Sequence, residues 1–239
     1  MDADRAARLA AVAALAEPTR RRLYEHVIRQ PEPVSRDDAA TALGVPRATA
    51  AFHLDRLAED GLLDVVHQRR SGRTGPGAGR PAKLYRRAAV SVAVSLPERR
   101  YDLAGELLAA ALEEADRTGE RPRVALDRRA RVLGEELGRA ARPADGAPGD
   151  VEAVLAVLES AGFEPRTAGG AVVLANCPFH ALAATHAELV CAMNLGLLEG
   201  VLDGVGDAGL AARMCPGEAG CCVRMESPSG SRGADGGTP

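Results

Sequence analysis

Tryptophan is absent from this sequence of 239 residues, and only three phenylalanines and three tyrosines occur in it. Its hydrophobic cores must therefore consist mainly of alanine, leucine and valine. The sequence also lacks a run of about eighteen apolar residues, and Met1–Arg5 does not lead into the apolar segment of a secretory signal. We expect a soluble, cytoplasmic protein with no membrane partner.

Catalytic motifs are also missing from the sequence. It shows no set of nucleophile, base and orienting residue, and Gly75–Gly79 lacks the lysine and the strand-to-helix context of a phosphate-binding loop. We therefore predict that the protein is not an enzyme. A thiol-dependent enzyme and a protein-binding module are the alternatives, and absence of salt-dependent duplex binding would favour the second.

Acidic residues are missing from one basic stretch. Between His67 and Arg87 the sequence has seven Lys or Arg residues and no Asp or Glu. The net charge of the chain is −3, but residues 1–100 carry +6 and residues 101–239 carry −9. A basic segment is typical of a domain that contacts nucleic-acid phosphates. We therefore expect the first part of the chain to bind double-stranded DNA.

A helix-turn-helix pattern lies just before the basic stretch. Ser35 starts a capping-box pattern, and Gly44 supplies the left-handed stop of the helix that follows. A turn at Val45–Pro46 leads into a second short helix, which is the spacing of a DNA-reading motif. With the hairpin that follows, this predicts a winged helix-turn-helix domain at residues 1–90. The predicted helices are 3–16, 20–28, 36–43 and 47–59, and the predicted strands are 62–67 and 82–86.

The predicted DNA-binding residues belong to the second helix of this motif and to the hairpin. Arg47 and His53 are expected at base edges in the major groove. Thr49 and Arg56 are expected nearer to phosphates, with Ala50 on the same exposed face. The hairpin is expected to contact the DNA backbone or the minor groove, and the alternative for each residue is an ordinary solvated surface. The complete set is Arg47, Thr49, Ala50, His53, Arg56, Arg73, Arg80 and Lys83.

The remainder of the chain predicts three further segments. Two amphipathic helices at residues 97–141 are expected to form a helical linker or dimerisation segment, or alternatively to cover the domain that follows. Residues 150–226 predict a small α+β sensor domain, with helices beginning after Asp150 and at the capping box Thr185–Glu188. Residues 227–239 are rich in Gly, Ser and Pro, so we expect a disordered tail. The predicted fold class is mainly α with α+β.

All five cysteines lie between residues 177 and 222. In a cytosolic protein such clustering favours metal or redox chemistry over structural disulfides, and buried cysteines acting as small apolar residues are the alternative. Because neighbours on a strand face opposite sides, only one of Cys221 and Cys222 should point inward. Thiolates suit an iron–sulfur cluster, and thiolates with imidazole also suit zinc. The candidate ligands are Cys177, Cys191, Cys221 and Cys222, with Cys215, His180 and His186 as weaker candidates.

Two groups of segments carry a resemblance to known regulators. Leu15–Tyr24 and Ala50–Leu63 resemble ArsR-type winged-helix regulators. The rear segments resemble the SufR-like branch of that superfamily, and the resemblance covers about residues 8 to 225. These rear segments are Asn176–His180, Glu188–Leu195 and Gly220–Val223.

The resemblance implies a homodimeric repressor of iron–sulfur assembly genes that senses its own cluster. Dimerisation implies a pseudo-palindromic operator. The ligands carried over are Cys177, Cys191 and one of Cys221 or Cys222. Val205 stands where a further cysteine of the family is expected, so the fourth ligand is unassigned. Zinc, a small molecule, or thiol oxidation without any cofactor is the alternative signal.

Overall fold

The computed structural model describes residues 3–68, 81–143, 149–206, 208–215 and 220–227. The chain forms two compact units, residues 1–94 and 95–239. Both units are mainly helical, and each contains a small antiparallel sheet. The predicted fold class, mainly α with α+β, is confirmed. Among the described residues, no helix has the length and apolar character that a membrane span requires.

The first unit is a winged helix-turn-helix. Its sheet has the strand order β1 (Val34–Ser35), β3 (Ala82–Arg87) and β2 (Leu63–Gln68), and the β2–β3 hairpin is the wing. The predicted helices and strands are all found, with ends that differ by a few residues. The elements are α1 (Ala3–Ala14), α2 (Pro18–Ile28), β1 (Val34–Ser35), α3 (Arg36–Leu43), α4 (Arg47–Glu59), β2 (Leu63–Gln68) and β3 (Ala82–Arg87).

Local signals fix the helix-turn-helix. The Ser35 hydroxyl accepts a hydrogen bond from the backbone N–H of Asp38 at 3.1 Å, so it caps α3 as predicted. Gly44 ends α3 with φ of 64°, a conformation that favours glycine. From α4, Leu54 and Leu57 enter the core and are fully buried. One face of α4 is therefore fixed by the core, and the opposite face is left to solvent.

The second unit is an α+β domain. Its sheet has the antiparallel order β4 (Pro165–Ala168), β5 (Ala171–Leu174), β7 (Val223–Glu226) and β6 (Ala211–Met214), and the glycine pair at 169–170 connects β4 to β5. Asp150 caps α7 by accepting a hydrogen bond from the backbone N–H of Ala153 at 3.0 Å. The elements are α5 (Tyr101–Thr118), α6 (Pro122–Ala140), α7 (Val151–Ser160), β4 (Pro165–Ala168), β5 (Ala171–Leu174), α8 (His180–Thr185), α9 (Ala187–Val205), β6 (Ala211–Met214) and β7 (Val223–Glu226).

Helices α5 and α6 belong to the core of the second unit. Buried residues of both helices, among them Leu107 and Leu126, join one apolar cluster with residues of α7, α9 and the sheet. The expectation of a separate linker at 97–141 is thereby corrected, and the alternative that these helices cover the α+β domain describes their packing. The amphipathic pattern alone did not decide between the two, because a helix buries the same apolar face against either neighbour.

Glycines bring α6 and α9 into backbone contact. A Cβ atom added at Gly134 would lie 2.8 Å from the backbone nitrogen of Val201. One added at Gly200 would lie 2.9 Å from the carbonyl carbon of Arg131. Gly138 and Gly204 make equally close approaches between the same helices. Any larger residue at these positions would force the two helices apart.

Two further expectations need comment. The capping box predicted at Thr185–Glu188 is wrong, because Thr185 is the last residue of α8 and its hydroxyl donates to the carbonyl of Leu182 instead. His186 precedes α9 without a capping hydrogen bond from its side chain. The predicted disordered tail lies outside the described residues from residue 228 onward.

Candidate nucleic-acid interface and buried thiol pair

Arg47 lies at the exposed start of α4. Its side chain is 63% exposed, and its guanidinium Nε donates to the carboxylate of Asp37 on α3. The pair is at the surface, where such ion pairs contribute little to stability. Arg47 can therefore leave Asp37 for a phosphate or a base edge with little loss of folding stability. Arg47 therefore lies at an exposed position, and its contact with DNA stays a prediction.

His53 is turned away from the exposed face. Its side chain is only 12% exposed, and its Nε2 lies 3.6 Å from a carboxylate oxygen of Glu17. Arg20 Nε donates to His53 Nδ1 at 3.5 Å. These contacts hold the imidazole between α4 and the start of α2, so the expected position at a base edge is corrected for His53.

Ala50 is the second correction on α4. It is fully buried in the core of the first unit, so it does not belong to the exposed face. Thr49 is half-buried, and Arg56 is exposed. Arg56 pairs with Glu59 and Asp60 along the same helix turn, at 3.4 and 3.1 Å.

Lys83 connects the wing to α4. Its ammonium lies 2.5 Å from Asp55 Oδ1 and 5.5 Å from the centre of the Tyr85 ring. The Tyr85 hydroxyl donates to the same carboxylate at 2.6 Å. Burial raises the pKa of Asp55, but the hydrogen bonds from Lys83 and Tyr85 outweigh burial and hold it below its usual value. The carboxylate thus stabilises the first unit at neutral pH, and its contribution is lost as the pH falls through the lowered pKa.

The wing arginines cannot be placed in the same way. Arg73 and Arg80 lie outside the described residues, between the ends of β2 and β3. They stay predictions. Of the basic wing residues that are described, Lys83, Arg86 and Arg87 belong to β3, and all three side chains are exposed or pair at the surface.

Phe52 is a surface feature of α4 that the sequence analysis missed. It is 63% exposed and meets the imidazole of His53 edge to face, with ring centres 5.2 Å apart. The sequence offers a signal for this residue. Only three phenylalanines occur in the chain, and Phe52 is the one that lies in the second helix of the helix-turn-helix. Leu54, two positions later, faces the core, which places Phe52 outward.

The second unit holds a buried pair of thiols. Cys177, after β5, and Cys221, before β7, are 6% and 5% exposed. A hydrogen bond to Cys221, together with burial, raises the pKa of the Cys177 thiol far above its usual value. The hydrogen bond from Cys177 lowers the pKa of Cys221, but a hydrogen bond to Cys222 and burial outweigh it and raise the pKa to about 11. Both groups are neutral thiols in this structure at neutral pH.

Asn194 is a polar residue of the thiol site that the sequence analysis did not select. It lies on α9, is 1% exposed, and donates from Nδ2 to Cys221 Sγ at 3.1 Å. Its Oδ1 is buried and has no hydrogen-bond partner among the described residues. A buried amide oxygen without a partner carries a desolvation cost. The thiols and this oxygen therefore form a polar site inside the apolar core.

The backbone that presents Cys177 is tightly held. Asn176 is 5% exposed and donates to the carbonyls of Glu98 and Gly162 at 3.0 and 2.8 Å. The guanidinium of Arg99 donates to the Cys177 carbonyl at 3.2 Å and to the Asn176 side chain. The buried amide explains why asparagine precedes Cys177, and it fixes the direction of the turn that carries the thiol.

The other candidate ligands do not complete a metal site in this structure. Cys222 is half-buried beside buried Cys221, but both precede β7, so the strand alternation predicted for them does not apply. Cys215 N–H donates to the Cys222 carbonyl at 2.7 Å. Cys191 is half-buried on α9, and His180 and His186 are exposed. Within the described part of the chain, no three His, Cys, Asp or Glu side chains meet as metal ligands do.

An iron–sulfur cluster is usually held by four ligands. Cys221 contacts the thiols of both Cys177 and Cys222, but no three ligands among the described residues surround one point, so the present arrangement does not fit a cluster without movement of the ligands. The soft thiol pair and the unpartnered amide oxygen are the parts that would suit a metal. None of the five cysteines forms a disulfide bond.

Comparison with known families agrees with the geometry of the first unit. A family model described as a helix-turn-helix domain matches residues 15–66. Residues 15–66 form a helix-turn-helix domain. The matched range runs from the end of α1 into β2 and includes all of α3 and α4. Neither a curated protein nor a solved structure matches the chain. The domain supports a DNA-binding transcriptional regulator.

Proposed function

We propose that this protein is a transcriptional repressor that binds duplex DNA through α4 and the wing and receives its signal in the second unit. The observation that carries the first half is the matched helix-turn-helix, with Arg47 exposed at the start of α4 and Lys83 on the wing. N-terminal residues of a recognition helix are those that contact base edges. The protein is a regulator in this proposal and not an enzyme.

The proposed operator is a pseudo-palindrome read by a homodimer. Large apolar side chains on α5 and α6 support self-association, because Leu112, Val124 and Val132 are between 46% and 54% exposed. Two copies related by a twofold axis would present two recognition helices to half-sites about one helical turn apart. Dimerisation also doubles the phosphate contacts, which raises affinity and salt dependence together.

The proposed signal acts at the buried site of Cys177, Cys221 and Asn194. The supporting observation is that two thiols meet in an apolar core next to an amide oxygen without a partner. An iron–sulfur cluster with Cys177, Cys191 and Cys221 or Cys222 as ligands stays a prediction of the resemblance. Zinc, a small ligand and thiol oxidation are the other signals that such a site can receive.

Substitution of both thiols is expected to uncouple DNA binding from the signal. The full chain should bind a duplex with an affinity that changes about 5- to 150-fold between the apo protein and protein treated anaerobically with ferrous iron and sulfide. In Cys177→Ser/Cys221→Ser that ratio should fall to about one, while the apo affinity is retained. Fluorescence anisotropy measures both, with iron, zinc and acid-labile sulfide assayed in the same samples.

Cys215→Ser provides the matched control, because Cys215 is half-buried and pairs only through its backbone with Cys222 in the described contacts. Its affinity ratio should stay at the wild-type value. If zinc, with no bound sulfide, changes the affinity for the duplex, the signal is zinc and not a cluster. Equal affinities of the wild type in all treatments would contradict the sensing half of the proposal.

A further inference from the structure

We infer that Phe52 selects operators by contact with the methyl group of thymine in the major groove. The inference rests on the proposed DNA-binding function and adds a specificity-determining residue to it. In the major groove, the thymine C5-methyl is the apolar group that distinguishes one base pair from the others, and phenylalanine is one of the side chains that contact it.

The shape of α4 favours this contact. Phe52 is 63% exposed, whereas Leu54 on the other side of the helix is fully buried. Ala48, one turn earlier, and Ala51 are small, so the Phe52 ring projects farther than its neighbours on this face. A helix that enters the major groove with this face would bring the ring to the bases before any other apolar group.

The other residues near Phe52 on α4 are either engaged elsewhere or at least partly buried. His53 is held by Glu17 and Arg20, and Ala50 is buried. Thr49 is half-buried. Arg47 is left as the residue of the first two turns that can donate hydrogen bonds to a base edge once it leaves Asp37. Discrimination at a second base therefore falls to the apolar ring.

The ring has one aromatic contact within the first unit. Phe52 and His53 meet edge to face, with ring centres 5.2 Å apart and planes at 67°. His53 is in turn fixed by contacts with Glu17 and Arg20 of the α2 start. Phe52 therefore contacts a side chain that is itself held by two partners, while most of its own surface stays exposed.

Charge around the ring favours DNA over a protein surface. Residues 47–54 of α4 contain Arg47 and no acid. Carboxylates of the same unit are already engaged, Asp37 with Arg47, Asp55 with Lys83 and Glu17 with His53. The basic stretch from His67 to Arg87 is part of the same unit. An exposed aromatic ring on a helix that carries Arg47, in a unit with this basic stretch, fits a polyanion that offers an apolar methyl.

The test uses duplexes selected by the full chain from a random-sequence library. Each thymine of the selected duplex is replaced in turn by deoxyuridine, which removes only the methyl group. We expect the wild type to bind about fourfold more weakly for each contacted methyl lost. Phe52→Ala should bind the thymine duplex more weakly than wild type and should lose the distinction between thymine and deoxyuridine. Phe52→Leu keeps an apolar side chain and should retain part of it.

The outcomes distinguish failure of the Phe52 contact from failure of the proposed DNA-binding function. If Phe52→Ala responds to deoxyuridine as the wild type does, or if no replacement weakens the wild type, the inference is overturned. A changed oligomeric state of Phe52→Ala with an unchanged deoxyuridine response also overturns it, in favour of a protein contact. If the full chain selects no duplex, the proposed DNA-binding function fails, and the inference fails with it.

Discussion

Gly200→Ala is expected to lower the free energy of unfolding of the second unit by about 1–3 kcal/mol, the usual cost of overpacking. The new methyl group would meet the Arg131 backbone on α6, which cannot rotate away as a flexible side chain would. The helices α6 and α9 would have to separate, and the apolar contacts of Leu126 and Leu197 in their shared core would loosen. Thermal and urea unfolding measure the loss, with hydrogen exchange assigning it to the second unit.

Gly105→Ala is the control for this experiment. Gly105 also lies within a helix, α5, but an added Cβ atom has nothing within 4 Å. Alanine is the better helix former, so this variant should be as stable as the wild type or up to about 1 kcal/mol more stable. Equal stabilities of Gly200→Ala and the wild type would contradict the close packing of α6 and α9.

Leu54→Ala is expected to destabilise the first unit by about 2–5 kcal/mol, because the side chain is fully buried and its loss leaves a cavity. A loss of this size is comparable to much of the stability of a small domain. Duplex binding should disappear as the helix-turn-helix unfolds, at a temperature where the wild type still binds. Circular dichroism and anisotropy on the same samples relate the two losses.

Phe52→Ala, two residues away on α4, is the matched comparison. Its side chain is 63% exposed, so its unfolding free energy should stay within about 0.5 kcal/mol of the wild type. The affinity of Phe52→Ala for the thymine duplex should nevertheless be lower than that of the wild type, because the contact with the thymine methyl is lost. The account of α4 would be wrong if Phe52→Ala destabilised the first unit as much as Leu54→Ala, or if Leu54→Ala kept wild-type stability.

The elements with local signals could be predicted from the sequence. A cap at Ser35 and a left-handed glycine at Gly44 fix α3, and both act within a few residues of the helix they limit. Asp150 does the same for α7, and the glycine pair 169–170 does so for the β4–β5 turn. Such signals do not depend on the rest of the fold.

The exposed face of α4 was harder to predict. Alanine fills much of residues 48–51, so the contrast between buried and exposed positions is weak there, and Ala50 was assigned to the wrong face. The position of His53 depends on Arg20, which is 33 residues away in sequence. The sequence does not mark Phe52 as exposed, because an aromatic residue in a helix is more often part of a core.

Tertiary contacts decide the remaining differences. Cys177 and Cys221 meet because β5 pairs with β7, a register that no local pattern gives. The pattern at Thr185–Glu188 fits a capping box, but α8 ends there and its last turn uses the threonine hydroxyl. The glycines at Gly134 and Gly200 were the available signal that α6 packs within the second unit rather than serving as a linker.

The salt dependence of duplex binding tests the central claim most directly. The full chain would be titrated into a labelled duplex by anisotropy at several salt concentrations between about 50 and 200 mM. The account predicts tight binding at low salt and a linear fall of log Kobs with log salt, with a slope of about −0.9 for each phosphate contacted. Absence of binding at the lowest salt, or binding that salt does not weaken, would contradict it.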